Sequence, residues 1–123
     1  MNKEEYLHAA EILAAAEGLD LWTAQMHVLL PKLREIGVPT KLLPALTSAE
    51  RHWHGQPQDL MGARVETWEY LDSTYPQGTD LEAPAGRAAR ALLCVLDPGG
   101  DEDERDMTVE WFVAMADSGE IAS

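Results

Sequence analysis

Residues 84–96 read PAGRAARALLCVL and form the most apolar stretch of this chain. The six residues that follow Arg90 are all small or apolar, and Pro84 suits the first turn of a helix. A helix that is apolar on nearly every side is buried over most of its surface. We therefore predict a central helix that begins near Asp80 or Pro84 and ends at Leu96, with the other segments packed around it.

Helical periodicity continues toward the N-terminus. Residues 3–17 place Tyr6, Ala10 and Leu13 on one face, and Gly18 follows as a stop signal. These features predict a first helix that packs through small side chains.

A second helix is predicted from Asp20, a suitable N-cap, to the stop at Gly37. Pro31 lies inside it, where the missing backbone N–H predicts a kink or a split. The apolar side chains of this helix recur at helical spacing on one face: Trp22, Met26, Leu29, Leu33 and Ile36.

Residues 40–75 predict shorter helical elements joined by a loop. Residues 40–53 suggest two short helical turns, with Pro44 near the start of the first and a capping box from Thr47 to Glu50 opening the second. Residues 54–58 have the composition of a loop. Asp59 is a candidate cap for a further helix that ends near Tyr75, and its predicted packing face consists of Met61, Val65, Trp68 and Leu71.

A last helix is predicted from a cap at Asp106 to a stop at residues 118–119, with Val109, Phe112, Met115 and Ala116 on its packing face. We expect Trp22, Trp68 and Phe112 in the core and Trp53, between two histidines, at the surface. No segment shows the strict alternation of a strand. The sequence therefore predicts an all-α fold, a compact single domain over residues 1–123 with five or six short helices.

The formal net charge is −13, and it is unevenly distributed. Residues 1–20 carry −4, residues 21–58 carry +2, and residues 59–123 carry −11. Such a field repels nucleic acid and anionic membrane surfaces and favours a basic protein partner. The densest run of acids surrounds Arg105 and contains Asp97, Asp101, Glu102, Asp103, Glu104 and Asp106.

Composition also sets the expected compartment. No apolar run approaches the roughly 18 to 20 residues of a membrane-spanning helix. The N-terminal residues start a polar amphipathic pattern without the apolar stretch of a signal peptide. Cys94 is the single cysteine, so it cannot form an intrachain disulfide, and a reducing cytoplasmic location is predicted.

Candidate metal sites are incomplete. Glu5 and His8 form one Glu-x-x-His pair, whereas a helical di-iron site needs two such pairs and two further glutamates. His52 and His54 lack the further ligands that zinc requires, although a metal or enzyme role for these two histidines stays open. The acidic run does not match the spacing of a calcium-binding loop, which leaves weak divalent binding as the alternative. We predict no metal and no cofactor.

Signals for nucleophilic catalysis are also weak. Cys94 falls in the most apolar helix, where burial disfavours the thiolate and a packing role is expected. The serines lie in caps or loops, without the glycine-rich elbow of a hydrolase. The sequence therefore predicts a protein that is not an enzyme.

A binding function is the leading hypothesis. A small, rigid, acidic protein can block a basic site on another protein, as immunity proteins, antitoxins and phage inhibitors do, and an anionic surface can substitute for nucleic acid. Such a surface could also include Asp72, Asp80 and Glu82. The predicted partner-binding residues are Asp97, Asp101, Glu102, Asp103, Glu104, Asp106, Glu110 and Trp53.

Two alternatives remain for the acidic run and for the protein. The run could be a solvated loop that only aids solubility. The protein could instead be a structural or adapter subunit that forms homo-oligomers through an apolar helix face.

Overall fold

The computed structural model describes residues 2–121, with side chains described as far as residue 116. In this part of the chain all regular structure is helical, which confirms the all-α prediction. The elements are α1 (Lys3–Glu17), α2 (Leu21–Ile36), a first 3₁₀ turn (Thr40–Leu42), α3 (Leu43–Trp53), α4 (Leu60–Thr74), a second 3₁₀ turn (Asp80–Glu82), α5 (Pro84–Val95) and α6 (Glu102–Ile121).

Helix α5 lies at the centre, as the sequence predicts. It packs against α2, α4, α6 and the second 3₁₀ turn, and residues 91–96 are all buried. At the edge of α5, the Arg90 Nε donates to Asp80 Oδ2 at 2.6 Å. Asp80 is itself buried. The Asp80 carboxylate is therefore buried together with a charged partner, which lowers the cost of removing it from water.

Caps define the ends of α1 and α2. Asn2 forms a capping box with Glu5, and Gly18 closes α1 in the left-handed conformation with φ of 66°. The Asp20 side chain accepts from the Thr23 backbone N–H at 3.1 Å and begins α2 as predicted. Helix α2 continues through Pro31, so the predicted split does not occur.

Helix α3 differs from its prediction. It is one continuous α-helix preceded by a 3₁₀ turn, and Pro44 occupies its first turn. The predicted capping box is wrong, because the Glu50 side chain pairs with Arg34 of α2 instead of bonding back to the backbone near Thr47. Leu46, Ala49 and Trp53 then keep one uninterrupted buried face.

Helix α4 has the predicted length but packs through a different face. Its buried residues are Leu60, Ala63, Thr67 and Leu71. The small side chains of Ala63 and Thr67 allow close packing. The buried Thr67 hydroxyl has a hydrogen-bond partner within the helix, since it donates to the Ala63 carbonyl oxygen at 2.8 Å. The predicted face is therefore wrong at three of its four positions, since Met61, Val65 and Trp68 are exposed.

Helix α6 begins earlier and ends later than predicted. Its first residue is Glu102, because Asp101 caps it by accepting from the Glu104 backbone N–H at 2.9 Å. Acids are favourable in the first turn of a helix, where they meet the positive end of the helix dipole. The helix continues through residues 118–119 to Ile121. Much of the predicted acidic loop is thus helical.

The tryptophans are placed differently from their predictions in two cases. Trp22 and Phe112 are buried, as expected. Trp68 is 37% exposed and Trp53 only 8% exposed, so both of these predictions are wrong. Trp53 is buried because its Nε1–H donates to the Val95 carbonyl oxygen at 2.7 Å, which satisfies the polar edge of the ring inside the core.

Candidate functional site

The acidic run is carried by an ordered backbone. The Asp97 carboxylate accepts from the Gly99 backbone N–H at 2.8 Å, and Gly99 turns the chain with φ of 93°. The Asp97 carbonyl oxygen in turn accepts from Trp22 Nε1 at 3.3 Å, which attaches this turn to α2. Asp101 then starts α6. The carboxylates of the run are therefore presented from a turn and a helix, not from a free loop.

Arg105 attaches the first turn of α6 to the core. Its guanidinium carbon lies 5.7 Å from the centroid of the Trp22 ring. A Cβ added at Gly99 would stand 3.0 Å from both Arg105 Nε and Trp22 Nε1, so these three residues are in close contact. The cation–π contact stabilises the start of α6 against α2.

A second connection joins α6 to α1. Lys3 Nζ lies 2.8 Å from Asp106 Oδ2. The hydrogen bond to Asp106 raises the pKa of Lys3, although solvent exposure of the pair limits its contribution to stability. Together with Arg105, this bridge orients α6 relative to both N-terminal helices.

The structure places the predicted acids together at the surface. Those on α6 and its cap are exposed, and Asp97 is partly buried. Glu102, Asp106 and Glu110 follow one another at four-residue intervals and form a row along one side of the helix. We call Asp97, Asp101, Glu102, Asp103, Glu104, Asp106 and Glu110 the acidic face.

A groove adjoins this face, and sequence reasoning did not find it. It has a volume of about 410 Å³ and lies where α1, α2 and the start of α6 meet. Glu11 and the 45% exposed Leu21 belong to it, although neither is near the acidic run in sequence. The groove thus combines apolar and acidic side chains, and its lining consists of Leu7, Glu11, Leu21, Trp22, Gln25, Glu102, Arg105 and Asp106.

Other predicted binding residues lie elsewhere. Asp80 is buried against Arg90 and is not a surface acid. Asp72 and Glu82 are exposed, but on α4 and the second 3₁₀ turn. Trp53 is in the core and is not available to a partner.

The histidines form a small cluster that includes one the sequence did not suggest. The rings of His27 and His54 are stacked with centroids 4.3 Å apart, and His27 Nε2 lies 2.5 Å from the Trp53 carbonyl oxygen. Among the described side chains, no group of three His, Cys, Asp or Glu residues could hold a metal ion.

Cys94 has the environment of a packing residue. It lies in the core on α5, and burial raises the pKa of its thiol to about 12, with a further contribution from the charge of Asp97. Its Sγ lies 3.6 Å from the Arg90 carbonyl oxygen. A thiol in this state is a weak nucleophile at neutral pH.

Exposed apolar side chains also lie on α4 and α6, two of the helices that pack against α5. They are Met61 (67% exposed), Val65 and Trp68 on α4 and Met107 and Trp111 (52% exposed) on α6. We call these five residues the apolar face. A shallow depression of about 170 Å³ lies beside it, lined by Arg90, Leu93, Cys94, Trp111 and Met115.

Comparisons with known proteins leave the family open. The sequence matches no family model, no curated protein and no solved structure. Within residues 2–121, none of the helices is both long and apolar enough to cross a membrane. Inference about function therefore depends on the surface chemistry described above.

Proposed function

We propose that this chain is a small acidic binding protein that engages a basic surface on a partner protein, in the manner of immunity proteins, antitoxins or phage inhibitors. The observation that carries the proposal is the order of the acidic face. Its carboxylates project from an ordered turn at Asp97 and from a capped helix that Arg105 and Lys3 attach to α2 and α1.

Order matters because association costs conformational entropy. Side chains that extend from a rigid helix lose less freedom on binding than those of a flexible loop. Concentrated negative charge also accelerates the encounter with a cationic surface. An ordered acidic face therefore favours a binding role over a role in solubility alone.

The row of acids on α6 favours a partner that normally binds nucleic acid. Glu102, Asp106 and Glu110 are four residues apart, which spaces their backbone positions by about 6 Å along the helix axis. Nucleic acid likewise presents negative charge at regular intervals. We propose that the row substitutes for phosphates in a site rich in lysine and arginine.

Affinity capture with matched charge variants tests the proposal. The first variant, E102Q/D103N/E104Q/E110Q, removes four of the seven charges of the acidic face and leaves the Asp101 cap and the bridge from Asp106 to Lys3 in place. The control, E4Q/E17Q/E35Q/E82Q, removes the same charge from exposed acids of other elements. We expect wild type and control to retain the same basic protein at low salt, and the first variant to lose it.

Salt supplies a second criterion. The complex should dissociate as ionic strength rises from about 0.01 M to 0.15 M, because screening weakens contacts between exposed charges. Capture that is independent of salt, or equal loss by both charge variants, would contradict the proposal.

One observation favours the alternative of a self-associating subunit. The apolar face is the kind of surface through which homo-oligomers form. Sedimentation velocity decides between the two functions. A structural subunit is supported by a stable oligomer, provided that Trp111→Gln dissociates it and E102Q/D103N/E104Q/E110Q leaves it intact. A monomer at micromolar concentration excludes a stable oligomer of that kind.

A further inference from the structure

The apolar face gathers most of the large exposed apolar side chains of the described residues. Ile12, Leu21, Leu43 and Leu81 are exposed too, but on separate elements. Scattered apolar residues are normal on a protein surface, whereas a cluster marks an interaction site. The five residues of the apolar face therefore need an explanation that core packing does not supply.

The two halves of this face are connected across α5. The Arg90 guanidinium carbon lies 4.9 Å from the centroid of the Trp68 ring on α4. The same arginine lines the depression that contains Trp111 and Met115 of α6. A continuous surface thus leads from Trp68 over Arg90 to Trp111.

The shape of this surface suits a helix. On α4, Met61, Val65 and Trp68 follow at intervals of four and three residues and form one ridge. Met107 and Trp111 form a second ridge on α6. The depression over α5 lies beside the second ridge, and an amphipathic helix placed between two ridges can bury its apolar side there.

Charge selects the kind of helix. Of the arginines near the face, Arg90 is neutralised by Asp80, whereas Arg64 donates to the Leu93 carbonyl oxygen and keeps its positive charge. Exposed acids adjoin both ridges, with Glu69 and Asp72 on α4 and Asp103 and Glu110 on α6, so the charge offered to an occupant is negative.

We propose that the apolar face docks an amphipathic helix of the partner protein, one whose polar side carries lysine or arginine. This inference rests on the proposed function, which supplies a basic partner, and it adds the form in which that partner binds. A second copy of this chain suits the face less well, because it would bring two acidic rims together. Tryptophan side chains often contribute most of the binding energy of an interface. Methionine side chains are flexible and adapt to the shape of an apolar partner.

The test uses two synthetic peptides of about 18 residues, or five helical turns. One places leucines on one face and lysines on the other, and the second has the same composition in a scrambled order. Trp111→Gln and Met61→Gln probe the face, and Ile12→Gln on α1 is the matched control because Ile12 is 58% exposed. Affinity is measured by the fluorescence of the protein, in which Trp68 and Trp111 are the exposed tryptophans of the described part.

We expect the amphipathic peptide to bind at least about tenfold more tightly than the scrambled one. Trp111→Gln should lower the affinity for the amphipathic peptide by at least about tenfold, which is the effect expected at an interface hot spot. Ile12→Gln should leave it unchanged. Binding of the amphipathic peptide should also protect the exposed tryptophans from acrylamide quenching.

Three results would overturn the inference. The first is equal affinity for both peptides, and the second is equal loss with Trp111→Gln and Ile12→Gln. The third is a dimer of the free protein that Trp111→Gln dissociates, because a second copy would then occupy the face. If capture of a basic partner still depends on the acidic face in the first two cases, the proposed function stands and only this docking mode fails.

Discussion

The indole Nε1–H of Trp53 donates a hydrogen bond to the carbonyl oxygen of Val95 at 2.7 Å. Val95 is the last residue of α5, where carbonyl groups lack an intrahelical donor. The bond therefore satisfies the end of the central helix and attaches the end of α3 to it. Trp53, although flanked by two histidines, thus packs in the core and does not form an interface.

Replacement of Trp53 tests this connection. Trp53→Phe retains an aromatic ring but leaves the Val95 carbonyl oxygen without its donor, so we expect a loss of about 1–3 kcal/mol in the free energy of unfolding. Urea denaturation measures the change. Trp111→Phe is the control, because Trp111 is 52% exposed and should change stability by less than about 0.5 kcal/mol. Equal effects of the two substitutions would contradict the assignment.

The pair formed by Asp80 and Arg90 gives a second prediction. The Asp80 side chain is 5% exposed and that of Arg90 is 35% exposed, so solvent reaches one partner. Asp80→Ala leaves the Arg90 guanidinium without its carboxylate partner and should lower the free energy of unfolding by about 1–3 kcal/mol, less than for a fully buried pair. Asp72→Ala, at an exposed acid, should have little effect. Thermal unfolding of both variants provides the measurement.

The close approach of the second 3₁₀ turn to α5 depends on Gly86. A Cβ at this position would collide with the backbone carbonyl of Asp80, which cannot easily move. We expect Gly86→Ala to cost about 1–3 kcal/mol despite the higher helix propensity of alanine. The comparison is Gly100→Ala, where the added methyl meets the flexible end of the Glu104 side chain. A Gly86→Ala protein as stable as wild type would show that this contact relaxes freely.

Asp20 makes stability depend on pH. Hydrogen bonds from Thr23 lower the pKa of Asp20 below its ordinary value of 3.8. The contribution of Asp20 to the free energy of unfolding is therefore fully present above pH 3.8. It is lost as the pH falls through the lowered pKa of the folded state. Asp20→Ala should lower the free energy of unfolding by about 1 kcal/mol at pH 7. The difference from wild type should shrink toward pH 2 in denaturation curves, and a constant difference would exclude the ionised cap.

The thiol of Cys94 should react slowly in the folded protein. With its pKa raised to about 12 by burial, only about one molecule in 10⁴ carries a thiolate at pH 8. Ellman's reagent should label native protein at least about a hundredfold more slowly than protein in denaturant. Rapid labelling of the native state would show that Cys94 is accessible and would reopen a chemical role for it.

Local signals predicted much of the helical framework. Asp20, Gly18 and Asp59 act on backbone groups within a few residues, so the ends of α1, α2 and α4 follow from neighbouring positions. The continuous apolar run after Arg90 likewise places α5 at the centre. The start of α6 was missed because two acids, Asp101 and Asp106, are both chemically suitable caps.

Burial faces were less predictable. Helix α4 has apolar residues on two sides, and periodicity alone does not say which side meets the core. The side with Ala63 and Thr67 is buried, because small side chains allow neighbouring helices to approach. Trp68 lies at the surface against Arg90. The α4 part of the apolar face (Met61, Val65 and Trp68) was therefore predicted wrongly as a core stripe.

By itself the sequence determined that this chain is helical, where most helices begin and which segment is central, because capping and periodicity act over a few residues. It also determined the excess of acid in the C-terminal half. Tertiary structure alone decided that Trp53 is buried and that Glu11 shares a groove with Asp106. The physical reason is that burial and charge pairing depend on residues far apart in the chain, as in the bond from Trp53 to Val95.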